Sequence, residues 1–496
     1  MSLNELPSCP TGITGLDIIL RGGLTRNCLY LIEGNPGVGK TTLALQFLME
    51  GVRRNERCLY VTLSETKTEL AAVARSHDWN LDGINIIELS AIEAALAGKA
   101  QNTLFQSSEL ELNQLSKLLL DEVDRIKPSR IVLDSLSEMR LLAQNPLRYR
   151  RQVLALKQRF AERESTVLLL DDRSATGTDI QVQSIVHGTI SLSSVEVKYG
   201  GLRRYLSVTK LRGVRFQEGN HDYLIKKGGL RVFPRLIAAD HHVEFKDVMI
   251  SSGNEQLDTL VGGGLHAGTS NLLIGPAGTG KSTISAMFAH AAAGRGQRVN
   301  YYTFDESVHI LRNRARELSL NMDGLIDKGL IELRQLDPAQ VSPGELAYDI
   351  RQAVEREHTK VVVLDSLNGY VSAVPSEEYL YLHLHELVTY LNQQGVMTLM
   401  VMAQHGLVGP MGVPIDISYL ADTVILTRYF EALGGIKKAI SVIKKRSGRH
   451  ETTIRELSMT PNGVLIGPPL VDFEGVLTGV PRFFGTRDKI QGHETN

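Results

Sequence analysis

The chain has few cysteines, a single tryptophan, no surplus of either charge and no long apolar run. Its three cysteines, Cys9, Cys28 and Cys58, lie within the first sixty of 496 residues and lack metal-ligand spacing. That argues against a disulfide framework or a zinc site and for a reducing compartment. Lys plus Arg number 54 against 55 Asp plus Glu, a formal charge of -1, whereas a chain whose whole surface coats nucleic acid is strongly basic. Met1 to Pro10 hold no basic stretch ahead of an apolar run, and no segment approaches the ~20 apolar residues of a membrane span. The expectation is a cytoplasmic protein with neither a membrane nor nucleic acid as partner.

What is present is globular in character, 43% hydrophobic and 22% charged. The chain exceeds the roughly 100–250 residues that one core holds, so two domains are expected. An internal repeat supports this. Leu16-Asp17, Gly22-Gly23-Leu24 and Gly34-Asn35-Pro36-Gly37-Val38-Gly39-Lys40-Thr41-Thr42 recur as Leu257-Asp258, Gly263-Gly264-Leu265 and Gly275-Pro276-Ala277-Gly278-Thr279-Gly280-Lys281-Ser282-Thr283. The offset is 241 for both motifs (275 minus 34, 257 minus 16), which chance rarely yields. A second pair, Arg130 to Leu136 and Val361 to Leu367, lies 231 apart (365 minus 134), so the first unit carries about ten extra residues, expected around Ala91 to Glu109.

Short apolar runs, Leu59–Leu63, Thr166–Leu170, Val299–Phe304 and Val396–Met402, alternate with longer helical patterns. The pattern predicts α/β architecture, with mainly parallel sheets flanked by helices. The expected domains are residues 1–236 and 237–484, with a boundary between Pro234 and Asp247 and a short tail over 485–496.

Each glycine-rich run has the form of a P-loop. Glycines let backbone N–H groups approach phosphate oxygens, and the following helix N-terminus adds positive potential. Lys40 and Lys281 would reach the β- and γ-phosphates of ATP, and the hydroxyls of Thr41 and Ser282 would complete the shell of Mg2+. Asp134 and Asp365 end apolar runs and would hold the metal's water ligands from the carboxyl edge of a central strand. Hydrolysis also needs a carboxylate that orients or deprotonates the attacking group. Glu65, Asp305 and Glu306, in Ser64-Glu65-Thr66 and Asp305-Glu306-Ser307, are the candidates. Near the end of each unit lie Lys210-Leu211-Arg212 and Lys444-Lys445-Arg446. Such cations can neutralise developing charge from a neighbouring subunit. Arg148-Tyr149-Arg150-Arg151 reads as a solvated helix face, and His383 and His385, two apart in a helical stretch, share no face and are expected to ligate nothing.

These residues, in this order and twice over, resemble the KaiC family, the double-domain RecA-like ATPases and autokinases of circadian clock systems. The resemblance covers nearly the whole chain and is most specific from Pro10-Thr11-Gly12-Ile13 through Thr42, in the paired Asp-Ser-Leu strands and in the Lys-x-Arg elements. It implies a homohexamer of two stacked rings with nucleotide between subunits, contacted by Lys210 and Arg212 or Lys444 and Arg446. The first ring would hydrolyse ATP, and the second would move phosphate to and from its own hydroxyl side chains. Asp305, with Glu306 beside it, stands where the family has two glutamates; in the first unit the pair is Ser64-Glu65, leaving Glu65 alone. The phosphoacceptor stretch matches Val413 to Thr423, with Ser418-Tyr419 in place of the family's Ser-Thr pair and Val413 in place of an earlier threonine, so Ser418 is the implied acceptor. The tail after Phe484 lacks the longer peptide by which clock members engage their activator, which makes clock-independent signalling relatives the closer analogy. Partners of that kind would be a histidine kinase, a response regulator or a KaiB-like protein. Two other readings stand beside this one: a RecA-like DNA-processing motor, and a nucleotide-gated scaffold with little turnover.

Overall fold

The computed structural model describes residues 7–484 apart from 89–107, 144, 174–179, 197–199, 373–376, 405, 407–415, 433, 461–462 and 478–480. The chain divides into two compact units, Met1–Arg235 and Leu236–Asn496. Each is built on a nine-stranded sheet.

In the first unit the strands are β1 (Leu29–Gly34), β2 (Cys58–Thr62), β3 (Ile84–Glu88), β4 (Arg130–Asp134), β5 (Thr166–Asp172), β6 (Gly188–Val195), β7 (Arg203–Leu211), β8 (His221–Lys226) and β9 (Gly229–Phe233). Their order across the sheet is β3-β2-β4-β5-β1-β6-β7-β8-β9. The first six in that order pair in parallel, and β7 to β9 extend the sheet antiparallel from β6. Helix α1 (Lys40–Arg53) follows β1.

The central strands are apolar almost throughout because helices cover both faces. Alternate residues of one strand feed opposite cores. Tyr60 packs in the cluster of Phe47 and Leu48 from α1, while Leu59 and Val61 belong to the cluster of Val153, Leu156 and Phe160.

The second unit repeats this plan. Its strands are β10 (Ser270–Pro276), β11 (Val299–Thr303), β12 (Ile331–Gln335), β13 (Val361–Asp365), β14 (Met397–Gln404), β15 (Thr423–Ala432), β16 (Gly435–Lys445), β17 (Arg455–Thr460) and β18 (Gly463–Pro469), with α2 (Lys281–Gly294) after β10. The order is β12-β11-β13-β14-β10-β15-β16-β17-β18, each strand in the place of its counterpart.

The register corrects the simple account of the ten extra residues. Leu59 opposes Asn85 and Asn300 opposes Glu332, so the offset has grown to 247 (332 minus 85) at β3 and β12 before it falls to 231. The first unit therefore has six fewer residues before β3 (247 minus 241) and sixteen more between β3 and β4 (247 minus 231). The six fall between Glu317 and Ile331, where the second unit has the helix Met322–Asp327. Of the expected insertion, 91–107 lie outside the described residues, and Ser108 and Glu109 already open the helix Ser108–Ile126. The tail, 485–496, also lies outside them. Cys9, Cys28 and Cys58 are free thiols. Among the described residues no helix is long and apolar enough to cross a membrane.

Candidate functional site: two P-loops with acidic strand tips

Strands β1 and β10 deliver Gly34 and Gly275 to the carboxyl edge of each sheet, and the loop then turns into a helix whose N-cap is a left-handed glycine. Gly39 has φ 98° and Gly280 φ 102°, a backbone that side chains other than glycine rarely adopt. A Cβ on Gly39 would meet Ile225 Cδ1 at 2.5 Å and one on Gly280 would meet Met459 Cε at 2.0 Å. Neither helix start has a side-chain cap. The helices opened by Thr66, Ser307 and Ser342 do, because their hydroxyls accept from first-turn N–H groups. At α1 and α2 those donors are left for a ligand, and an anion is the ligand they suit.

The lysines turn inward over their own loops. Lys40 Nζ donates to the carbonyls of Gly34 at 2.8 Å and Asn35 at 3.0 Å, and lies 2.7 Å from Asp172 Oδ1. Lys281 Nζ donates to the carbonyls of Gly275 at 2.8 Å and Pro276 at 2.6 Å. Burial pushes the Lys281 ammonium down to about 8, against the pull of Asp365.

Asp134 and Asp365 end β4 and β13, next in the sheet to the strand beside the P-loop strand. Asp134 Oδ2 accepts from the Thr41 hydroxyl at 3.3 Å and from the Tyr60 hydroxyl at 2.5 Å. Asp365 Oδ2 accepts from the Tyr301 hydroxyl at 2.5 Å, and Ser282 also hydrogen-bonds Asp365. Burial pushes both carboxyls above the usual carboxylate range, and the hydroxyls pull back. A hydroxyl beside a carboxylate is a hard-oxygen donor set that fits Mg2+. Tyr60 and Tyr301 were not among the residues expected from sequence, although their 241-residue offset marks them as a repeated pair.

The carboxylates one turn beyond β2 and β11 differ between the sites. Glu65 is half-buried, its Oε2 has no hydrogen-bond partner, and burial followed by the charge of Asp134 raises its proton affinity. Its counterpart Glu306 is held by Arg314 in a two-pronged pair of 2.6 and 2.8 Å. The first unit has Val73 where the second has Arg314 (314 minus 241). Asp305 is exposed and accepts a short hydrogen bond from Ser366.

The Lys-x-Arg elements sit elsewhere. Lys210 pairs with Thr189 at the start of β6, and Lys445 with Thr423 at the start of β15, level with the start of the P-loop strands. They thus lie a strand's length, roughly 15 Å or more, from their own P-loop. Lys210 Nζ donates to the carbonyls of Gln183 and Val186, and Arg212 to that of Ser184. Lys444 Nζ donates to the carbonyls of Ala421 at 2.8 Å and Ser418 at 3.1 Å, and Arg446 to that of Tyr419 at 3.0 Å. Ser418 is half-buried, with its N–H on Asp416 Oδ1 at 2.9 Å, and Tyr419 is exposed. Val413 to Ile415 lie outside the described residues. Arg148 and Arg151 are exposed, but Tyr149 between them is buried; His383 hydrogen-bonds the Tyr370 hydroxyl.

Two RecA-like domains, each with a P-loop on an uncapped helix and an acidic strand tip beside it, define a tandem P-loop ATPase. A family model described as "ATPase: KaiC" matches residues 9–237 and again 250–471, and the chain belongs to that family. Its relatives include the "Circadian clock protein KaiC3" of Synechocystis, 27% identical over 95% of this chain and 94% of that protein. The "Circadian clock oscillator protein KaiC" of Thermostichus vulcanus is 25% identical over 98% and 94%, and the "Circadian clock protein KaiC2" of Synechocystis 26% over 96% and 84%.

Proposed function

We propose that this protein binds Mg-ATP at both P-loops, hydrolyses it in the first domain, and in the second also transfers phosphate to Ser418, working as a double-ring homohexamer in signalling or timing. The observation that carries the reading is the pair of uncapped helix N-termini, each with a buried lysine and a buried aspartate beside it. Lys40 and Lys281 contact the β- and γ-phosphates in this reading. Thr41, Ser282, Asp134 and Asp365 would hold Mg2+, which would offset charge on the phosphate oxygens. In the first site the Glu65 carboxylate takes the proton of the water that attacks the γ-phosphorus, and ADP leaves. In the second site Asp305 takes the proton of the attacking hydroxyl or water, and Glu306, tied to Arg314, keeps the strand end in place.

Lys210 and Arg212, like Lys444, Arg446 and Ser418, lie too far from their own P-loop to touch its nucleotide. They are assigned to the nucleotide of a neighbouring copy, which makes the site an intersubunit one. Relatives named as clock proteins support timing as one role. A histidine kinase, a response regulator or a KaiB-like protein is the partner class this role calls for.

Separate Lys40→Ala and Lys281→Ala variants test the reading. Lys40→Ala should lower phosphate release from the first site by about 10²-fold and leave label from γ-labelled ATP on Ser418. Lys281→Ala should abolish that label. Full nucleotide uptake by the parent protein with no phosphate release would favour the scaffold reading. No uptake of adenine nucleotide at either loop by calorimetry would remove the proposal.

A further inference from the structure

The two phosphate-binding lysines differ in what they hold. An ammonium has three protons to give. Lys40 has three acceptors within 3.0 Å, the Gly34 and Asn35 carbonyls and Asp172 Oδ1. Lys281 has two carbonyls. The difference is fixed by the sheet. Gly34 opposes Asp172 in the β1–β5 register, and Gly275 opposes Ala403 in the β10–β14 register, so the second unit has no side chain that could take the third proton from this position.

The strand end that carries Asp172 is also anchored. The next residue, Arg173, reaches the buried Glu33 at 3.1 Å, and Glu33 accepts from Ser191 at 2.6 Å and Gln183 at 2.8 Å. The second unit has Ile274 in place of Glu33 (274 minus 241) and Gln404 in place of Arg173 (404 minus 231). This charged support therefore belongs to the first unit alone.

We infer that Asp172 is a positioning residue that competes with nucleotide phosphate for Lys40, so that the first site holds nucleotide more loosely and releases product more readily than it would without it. The inference rests on the proposed role of Lys40 as a phosphate contact. A phosphate oxygen and the Asp172 carboxylate cannot both take the same proton of the ammonium. The Asp172 side chain is 42% exposed and Lys40 only 9%, so the carboxylate is the partner with room to withdraw. Binding includes the loss of this ion pair, and its return assists release. An ion pair of this exposure is worth up to ~1 kcal/mol.

The test uses the full chain with Lys281→Ala, so that only the first site reports, and titrates Mg-ADP by calorimetry with ADP dissociation followed by stopped flow. Adding Asp172→Asn should tighten ADP by about threefold to fivefold and slow its dissociation by a similar factor. Asp172→Glu, which keeps the charge, should stay near the parent. In the converse experiment Ala403→Asp in a Lys40→Ala chain should weaken the second site by a comparable factor. Unchanged or weaker ADP affinity in Asp172→Asn, with normal binding by its parent, overturns this inference alone. No uptake by the Lys281→Ala parent overturns the role of Lys40 and the inference with it.

Discussion

The carboxylates beyond β2 and β11 differ in their charge partners. Glu65 and Glu306 occupy equivalent places, but Arg314 stands two helical turns beyond Glu306 while the first unit has Val73 there. A sequence does not announce that a residue eight positions on will fold back over a carboxylate. Asp172 was missed for the same reason, since only the parallel register of β5 against β1 brings it to Lys40. The predictions at this scale come from the pairing. Glu65→Gln should lower first-site phosphate release by about 10²-fold or more, because the unpartnered carboxylate with raised proton affinity is the proposed base. In the second site Asp305→Asn should cost more than Glu306→Gln, which loses an ion pair but not the base. Single-turnover assays in the Lys281→Ala and Lys40→Ala chains measure each site alone, and equal losses for Asp305→Asn and Glu306→Gln would contradict the assignment.

At the scale of elements, the buried central strands were read nearly to the residue, because two-faced burial leaves an uninterrupted apolar signature. The antiparallel β7 to β9 were not anticipated, since their alternating polar residues resemble wet surface. One consequence of that extension is open to measurement. His221 on β8 is 0% exposed, with Nε2 3.0 Å from the Gln217 carbonyl and Nδ1 accepting the Arg235 N–H at 2.9 Å. Only the neutral ring can accept there, and burial pushes its pKa down to about 4. The unfolded chain takes the proton first, near the ordinary value of ~6.5. The stabilising contribution is therefore complete above that pH and is lost as pH falls toward about 4, by up to ~3 kcal/mol. Glu65, Asp134 and Asp365, whose carboxyls are raised by burial, pull the other way. The informative quantity is thus the difference between wild type and His221→Gln, which can donate and accept in the same places. Thermal unfolding at pH 7.5 and 5 should show the larger acid loss in wild type; parallel losses would contradict it.

For the whole molecule, the duplication was evident from two offsets, and the structure shows the same strand order in both units. The balance of the offsets was not evident, because a six-residue gain in one unit and a sixteen-residue gain in the other appear in sequence only as their difference. Assembly is where the proposed reading is most exposed. If Ser418 is phosphorylated by a neighbour's second site, mixing Lys281→Ala chains, which keep Ser418, with Ser418→Ala chains, which keep the loop, should restore label from γ-labelled ATP on the Lys281→Ala chains. A mixture that stays unlabelled while wild type labels would show that transfer does not pass between copies.

The inward turn of the lysines has a wider consequence. Lys40, Lys281, Lys210 and Lys444 each direct their ammonium at two or more carbonyl oxygens of their own backbone. At these four points a polyanion brushing past finds cations already sheathed, and only a ligand shaped to enter the glycine loop can draw the two loop lysines out.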